Sequence, residues 1–143
     1  IDSWLENVKG EKTTHFNYGE TLRIKMVVDP KREIEDFVFG VGIFTSDGTN
    51  VYGTNTHLED FKPKVLKGRS IVTFEIPQLH LINGVYSVDI AVHRMDGYAY
   101  DYIKGAHQFK VHSMSKEVGI YRPQHSWIFE GKIEIERYEQ NPK

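Results

Sequence analysis

Residues 84–95 read GVYSVDIAVHRM. The run alternates strictly: Tyr86, Val88, Ile90 and Val92 fall on one side, and Val85, Ser87, Asp89, Ala91 and His93 on the other. A period of two built from β-branched and aromatic residues describes a strand with one face buried. Asn83-Gly84 supplies a turn before it and Met95-Asp96-Gly97 another after it. Tyr86, Val88, Ile90 and Val92 are therefore assigned to a core. The opposite row is small and polar, and it faces outward.

The same period recurs on both sides. Leu22, Ile24, Met26 and Val28 alternate with Arg23, Lys25 and Val27, which places a strand over residues 21–29. FVFGVGIFT (37–45) makes another, with Phe37, Phe39, Val41 and Ile43 inward and Val38, Gly40, Gly42 and Phe44 outward. Ser46-Asp47-Gly48 turns that strand into a hairpin partner at 50–56. Residues 71–76 form a strand stopped by Pro77. Residues 98–102 and 107–112 read as two further strands, the second with Phe109 and Val111 inward, and 132–138 as a last one. A first strand, clipped at Ile1, is expected within residues 1–8, and Glu139 to Lys143 should fray. About eight or nine short strands separated by turn signals define an all-β fold, an antiparallel β-sandwich.

At 143 residues the chain fits one domain, 1–143. Apolar residues are 39% and charged residues 27%, an ordinary globular composition. Lys plus Arg is 18 against 20 Asp plus Glu, a formal charge of -2, which argues against nucleic acid as a partner. There are no cysteines, so disulfides and cysteine zinc sites are excluded. No apolar run approaches the length of a membrane span, and no Asn-x-Ser/Thr sequon occurs. The chain opens on Ile1 without methionine, the mark expected of a piece of a longer protein.

Catalytic and cofactor signatures are missing. Gly40-Val41-Gly42 starts a GxGxxG, but Thr45 stands where its third glycine belongs, and there is no GxxxxGK[ST]. None of the seven histidines lies two to four residues from another, and no HExxH occurs, so neither metal nor cofactor is expected. Glu33, Glu35 and Asp36, Glu59-Asp60, and Glu134 and Glu136 read as solvated carboxylates and not as a glycosidase pair. With no GxSxG and no cysteine nucleophile, the chain is expected not to be an enzyme.

A surface remains. If strands 37–45, 85–93 and 107–112 are neighbours, their outward residues are Gly40, Gly42 and Phe44; Ser87, Asp89, Ala91 and His93; and Gln108, Lys110 and His112. Two glycines and an alanine in adjacent rows lower the sheet into a trough, and glycine inside a strand marks close approach of a ligand or backbone. Around it stand a ring, a carboxylate, an imidazole, an amide and an ammonium. That mixture suits a sugar, with polar groups for its hydroxyls and a ring for its C–H face. The competing reading is a solvated face whose glycines permit a bulge. Tyr98, Tyr100 and Tyr102 form either a second core layer or a stacking platform.

FGVGIFTSDGTNVYGTNT (39–56), LINGVYSVDIAVHR (81–94), the YDY hairpin (100–102), HQFKV (107–111) and VGIYRPQHSW (118–127) together resemble the C-terminal domain of Wzt-type proteins. These are the ATP-binding subunits of ABC transporters that export O-antigen and related surface polysaccharides. The resemblance covers residues 13 to 127 or so. It implies an immunoglobulin-like sandwich that binds the exported polysaccharide, often at its modified non-reducing end. It also implies an attached ATPase domain, a membrane subunit of the transporter, and a place at the cytoplasmic face of the inner membrane. Family members can form homodimers, some by exchanging a terminal strand, a use open to residues 128–143. The clipped start and the alternation beyond Trp127 depart from the family pattern and bear on that dimer mode. A second function carried alongside is a structural, dimerising sandwich that uses the same sheet face as a protein interface.

Overall fold

The computed structural model describes residues 1–138 and is built from eight strands. These are β1 (Asp2–Glu6), β2 (His15–Asn17), β3 (Leu22–Val28), β4 (Val38–Thr45), β5 (Asn50–Asn55), β6 (Ser70–Ile76), β7 (Gly84–His93) and β8 (Ala99–His112). They form two sheets, ordered β1-β3-β6 and β2-β8-β7-β4-β5. No helix among the described residues is long and apolar enough to cross a membrane.

The sheets meet through the inward rows. Leu22, Ile24 and Met26 of β3 and Leu5 of β1 face Val41, Ile43, Tyr86, Val88 and Ile90 of the larger sheet, together with Phe109 and Val111. The Tyr86 ring stacks on Phe109 at 5.5 Å between centroids, and Phe16 meets Phe109 edge-on at 6.0 Å. Full burial of such side chains stabilises by about 1.5–3 kcal/mol each, which is what holds the layers together. At the edge where β1 nears β8, Ser3 Oγ and His107 Nε2 lie 2.7 Å apart. Burial there holds the His107 imidazole below the ordinary histidine range.

Several sequence expectations change. Residues 98–102 and 107–112 are not two strands: β8 runs through both, and its register against β7 slips between Val88 and Ile90. Gly105, at φ +61°, lies in the three residues of β8 that stand opposite Asp89 alone. Gly105 belongs to a bulge, because a residue with positive φ bends a strand without ending it. The sandwich is also not wholly antiparallel, since β2 pairs parallel with β8. Phe37 precedes β4, and residues 132–138, which alternate like a strand, form none. The expected fraying of residues 139–143 falls outside the described residues.

Candidate functional site

The two outer faces differ. On the smaller sheet, Arg23 bonds Glu75 at 2.7 Å and Glu6 at 3.3 Å, and Lys25 Nζ donates to Thr73 Oγ1 at 2.9 Å. That face is a ladder of mutually satisfied polar side chains. The outer face of the larger sheet carries cross-strand rows fixed by register. One row runs Asn55, Gly40, Ala91, Tyr102; the next Gly53, Gly42, Asp89; the third Asn50, Phe44, Ser87, Gln108.

The first two rows sink into an open hollow of about 230 Å³. Its floor is Gly40, Gly42, Gly53 and Ala91, and its rim is Phe44, Asn50, Asn55, Asp89, His93 and Tyr102. A methyl group placed on Gly40 would meet Asn55 Cβ at 3.6 Å and Ala91 Cβ at 3.9 Å, ordinary contacts that leave the space above it open. Gly42 is different. The Phe44 ring folds back so that Cε1 stands 3.1 Å from where a Gly42 Cβ would be, roofing that end of the trough.

Of the expected residues, Gly40, Gly42, Phe44, Asp89, Ala91 and His93 line the hollow. Ser87, Gln108 and Lys110 share the face but stand outside the hollow, farther along β7 and β8. Sequence reading missed Asn50, Gly53 and Asn55 on β5, and offered Tyr102 only as part of a core layer or a stacking platform. A bulge between Ile43 and Phe44 pairs Phe44 with Asn50 and Gly42 with Gly53, so the β5 residues on this face are not evenly spaced. Tyr98, Tyr100 and Tyr102 are exposed, which removes the second-core-layer alternative.

Asp89 is buried, and both its oxygens are engaged. Tyr102 Oη donates to Oδ2 at 2.7 Å, and the Gly105 N–H donates to Oδ1 at 2.8 Å. A buried carboxylate is tolerable only when so satisfied. Asp89 thus clamps the β8 bulge and sets the Tyr102 ring at the rim. The hydrogen bond to Asp89, with burial and the adjacent negative charge, raises the Tyr102 hydroxyl above its ordinary range. His93 Nδ1 donates to the Arg94 carbonyl at 2.7 Å, so Nε2 is the ring nitrogen left for a ligand. The Asn55 carbonyl accepts from the Leu58 N–H at 2.8 Å, which leaves its amide NH₂ available.

Chemically, the hollow offers amide donors, an imidazole nitrogen, a phenol and two aromatic rings around a floor without side chains. Asp89 is the one carboxylate among the residues that line it. Glycoside hydrolysis commonly needs two.

Comparison with known proteins gives a consistent result. The family model described as the Wzt C-terminal domain matches residues 1–123. The O-antigen export system ATP-binding protein RfbB of Myxococcus xanthus is 25% identical over 126 residues, covering 88% of this chain. The chain spans 28% of the length of that relative. A crystal structure of the C-terminal domain of Wzt superposes with a TM-score of 0.77 at 18% identity, over 90% of this chain and 81% of that one.

Proposed function

Because this chain belongs to the Wzt C-terminal domain family, we propose that it is a non-catalytic module that binds the polysaccharide exported by an O-antigen-type ABC transporter. The observation that carries the proposal is the hollow itself. Its bare floor of three glycines and an alanine is rimmed by Asn50, Asn55, His93, Phe44 and the Asp89–Tyr102 pair. Sugars present hydroxyls at the edge of an apolar ring face, and such a site meets both needs. A protein interface would favour a flatter, more apolar surface with aromatic anchors. The lone, fully engaged Asp89 supports binding without hydrolysis.

In the whole protein the module would follow an ATPase domain and sit beside the membrane subunit, at the cytoplasmic face of the inner membrane. The name of the Myxococcus relative supports that placement. Two copies would associate, an arrangement favoured by the exposed apolar side chains of Trp127, Ile128 and Phe129.

The test is calorimetric titration with the surface polysaccharide of the source strain, for the parent chain and for Gly40→Val. A Cβ at Gly40 meets only ordinary contacts, and the branches of a valine would project into the hollow. We expect the parent to bind, and Gly40→Val to keep its melting temperature while losing affinity roughly tenfold or more, ~1.4 kcal/mol. Equal affinity for the folded variant would remove the hollow from the site. Release of reducing sugar during incubation would mean hydrolysis.

A further inference from the structure

The same sheet face ends in a second, differently charged site. In the parallel β2–β8 register His15 stands opposite Lys110, and Asn17 opposite His112. Phe16 and Val111, which alternate with them, are buried in the core, so these four side chains share the outer face. They border an open hollow of about 340 Å³.

His15, Lys110 and His112 are exposed, and none of them enters an ion pair among the described residues. Among the arginines, Arg23 pairs with Glu6 and Glu75, Arg94 with Asp96 and Arg122 with Glu117. The neighbouring Glu20 carboxylate is turned to accept the Asn17 backbone N–H at 2.8 Å. A chain with a formal charge of -2 thus places one ammonium and two imidazoles, outside any ion pair among the described residues, at one end of this face.

The two sites are in line. Lys110 stands opposite Val85, four residues along β7 from Asp89, so roughly 13 Å separates it from the hollow. Ser87 and Gln108, directly opposite each other, fill the interval with a hydroxyl and an amide. A polymer lying along β7 and β8 would cross from neutral donors onto an ammonium flanked by two imidazoles.

We infer that the β2 end of this sheet is a second subsite, one that takes an anionic substituent, carboxylate or phosphate, of the same polysaccharide. The inference rests on the polysaccharide reading of the hollow and narrows it to an acidic glycan. The Lys110 ammonium forms charge-assisted hydrogen bonds with such oxygens and the imidazoles add N–H donors beside it, whereas a neutral sugar gains no charge-assisted bond here.

The experiment uses the source strain's surface polysaccharide in three forms: native, with carboxylates reduced to alcohols, and with phosphates removed. Each is titrated into the parent chain, Lys110→Ala, and the double variant Lys110→Ala/His112→Ala; all substitutions are at exposed positions. Native glycan should bind the parent best. Lys110→Ala should weaken it about three- to fivefold, the upper range for an exposed ion pair. The treatment that abolishes the variants' deficit identifies the anion. If both treated glycans bind as tightly as the native one, or the double variant binds like the parent, the anionic subsite is overturned, while loss in Gly40→Val keeps the hollow. If the parent binds none of the three, both readings fall.

Discussion

At the scale of single residues, the site is governed by one buried carboxylate and the groups that make it tolerable. Asp89 was read from the sequence as a ligand contact, because alternation places it outward. Alternation cannot show that a neighbouring strand will bulge over it. In the structure its oxygens go to Tyr102 and Gly105, and the Tyr102 ring stands at the rim of the hollow. The raised pKa of Tyr102 has a definite sign: the folded state favours the protonated phenol. Its contribution is complete below pH ~10 and is lost as pH rises through the elevated folded value. Tyr86, raised by burial, acts in the same direction. Urea denaturation at a pH below ~10 and again about one to two units above it should therefore show the parent losing stability. Tyr102→Phe should start lower by ~1 kcal/mol, because Asp89 loses a donor. It should then lose less over the same interval. Equal losses in the two proteins would show that the Asp89 pairing does not govern Tyr102.

At the scale of elements, strands were legible wherever one face is buried against the other sheet. Leu22 to Val28 and Gly84 to His93 alternate because Ile24, Met26, Val88 and Ile90 must all reach a core they share. Legibility failed where the strand departs from period two. Asn50, Gly53 and Asn55 escaped notice because the bulge at Ile43/Phe44 spaces them three and two residues apart. Tyr102 was read in a strand separate from residues 107–112 because the bulge opposite Asp89 interrupts the period. The three-residue parallel β2 leaves too short a trace for any period to be read. Residues 132–138 err the other way, since alternation describes a strand's face and a strand still needs a neighbour. Gly105 is the element most open to test. At φ +61° an added Cβ costs ~1 kcal/mol, and Asp89 would then hold a strained clamp. Gly105→Ala should lower the denaturation midpoint by that amount and weaken glycan binding as Tyr102 shifts. An unchanged midpoint would mean that the bulge does not depend on glycine.

At the scale of the whole molecule, the outer faces of the two sheets differ, and the last described residues carry a run of exposed apolar side chains. Trp127 and Ile128 are 79% and 80% exposed, and Ile133 and Ile135 are half exposed on an alternating run. The sandwich meanwhile is open along one side, where β5 and β6 are both edge strands. Between them lies a groove of about 370 Å³ lined by Phe39, Phe61, Val72 and Phe74. An edge strand beside an apolar groove is a surface that accepts an added strand. The run at 132–138 has the period and the apolar side chains to provide one. It forms no strand within its own chain, and the arrangement to test is one in which this segment of a second copy supplies the added strand. Light scattering should therefore find the chain dimeric, and deletion of residues 128–143 should return it to a monomer that still binds glycan, since the hollow lies on the other face of β4 and β7. Substituting Ile133→Lys and Ile135→Lys keeps the length and should dissociate the pair equally. A parent chain that scatters as a monomer at working concentrations would overturn the dimer, and a deletion that stays dimeric would move the contact elsewhere, with the glycine-floored face the first place to look.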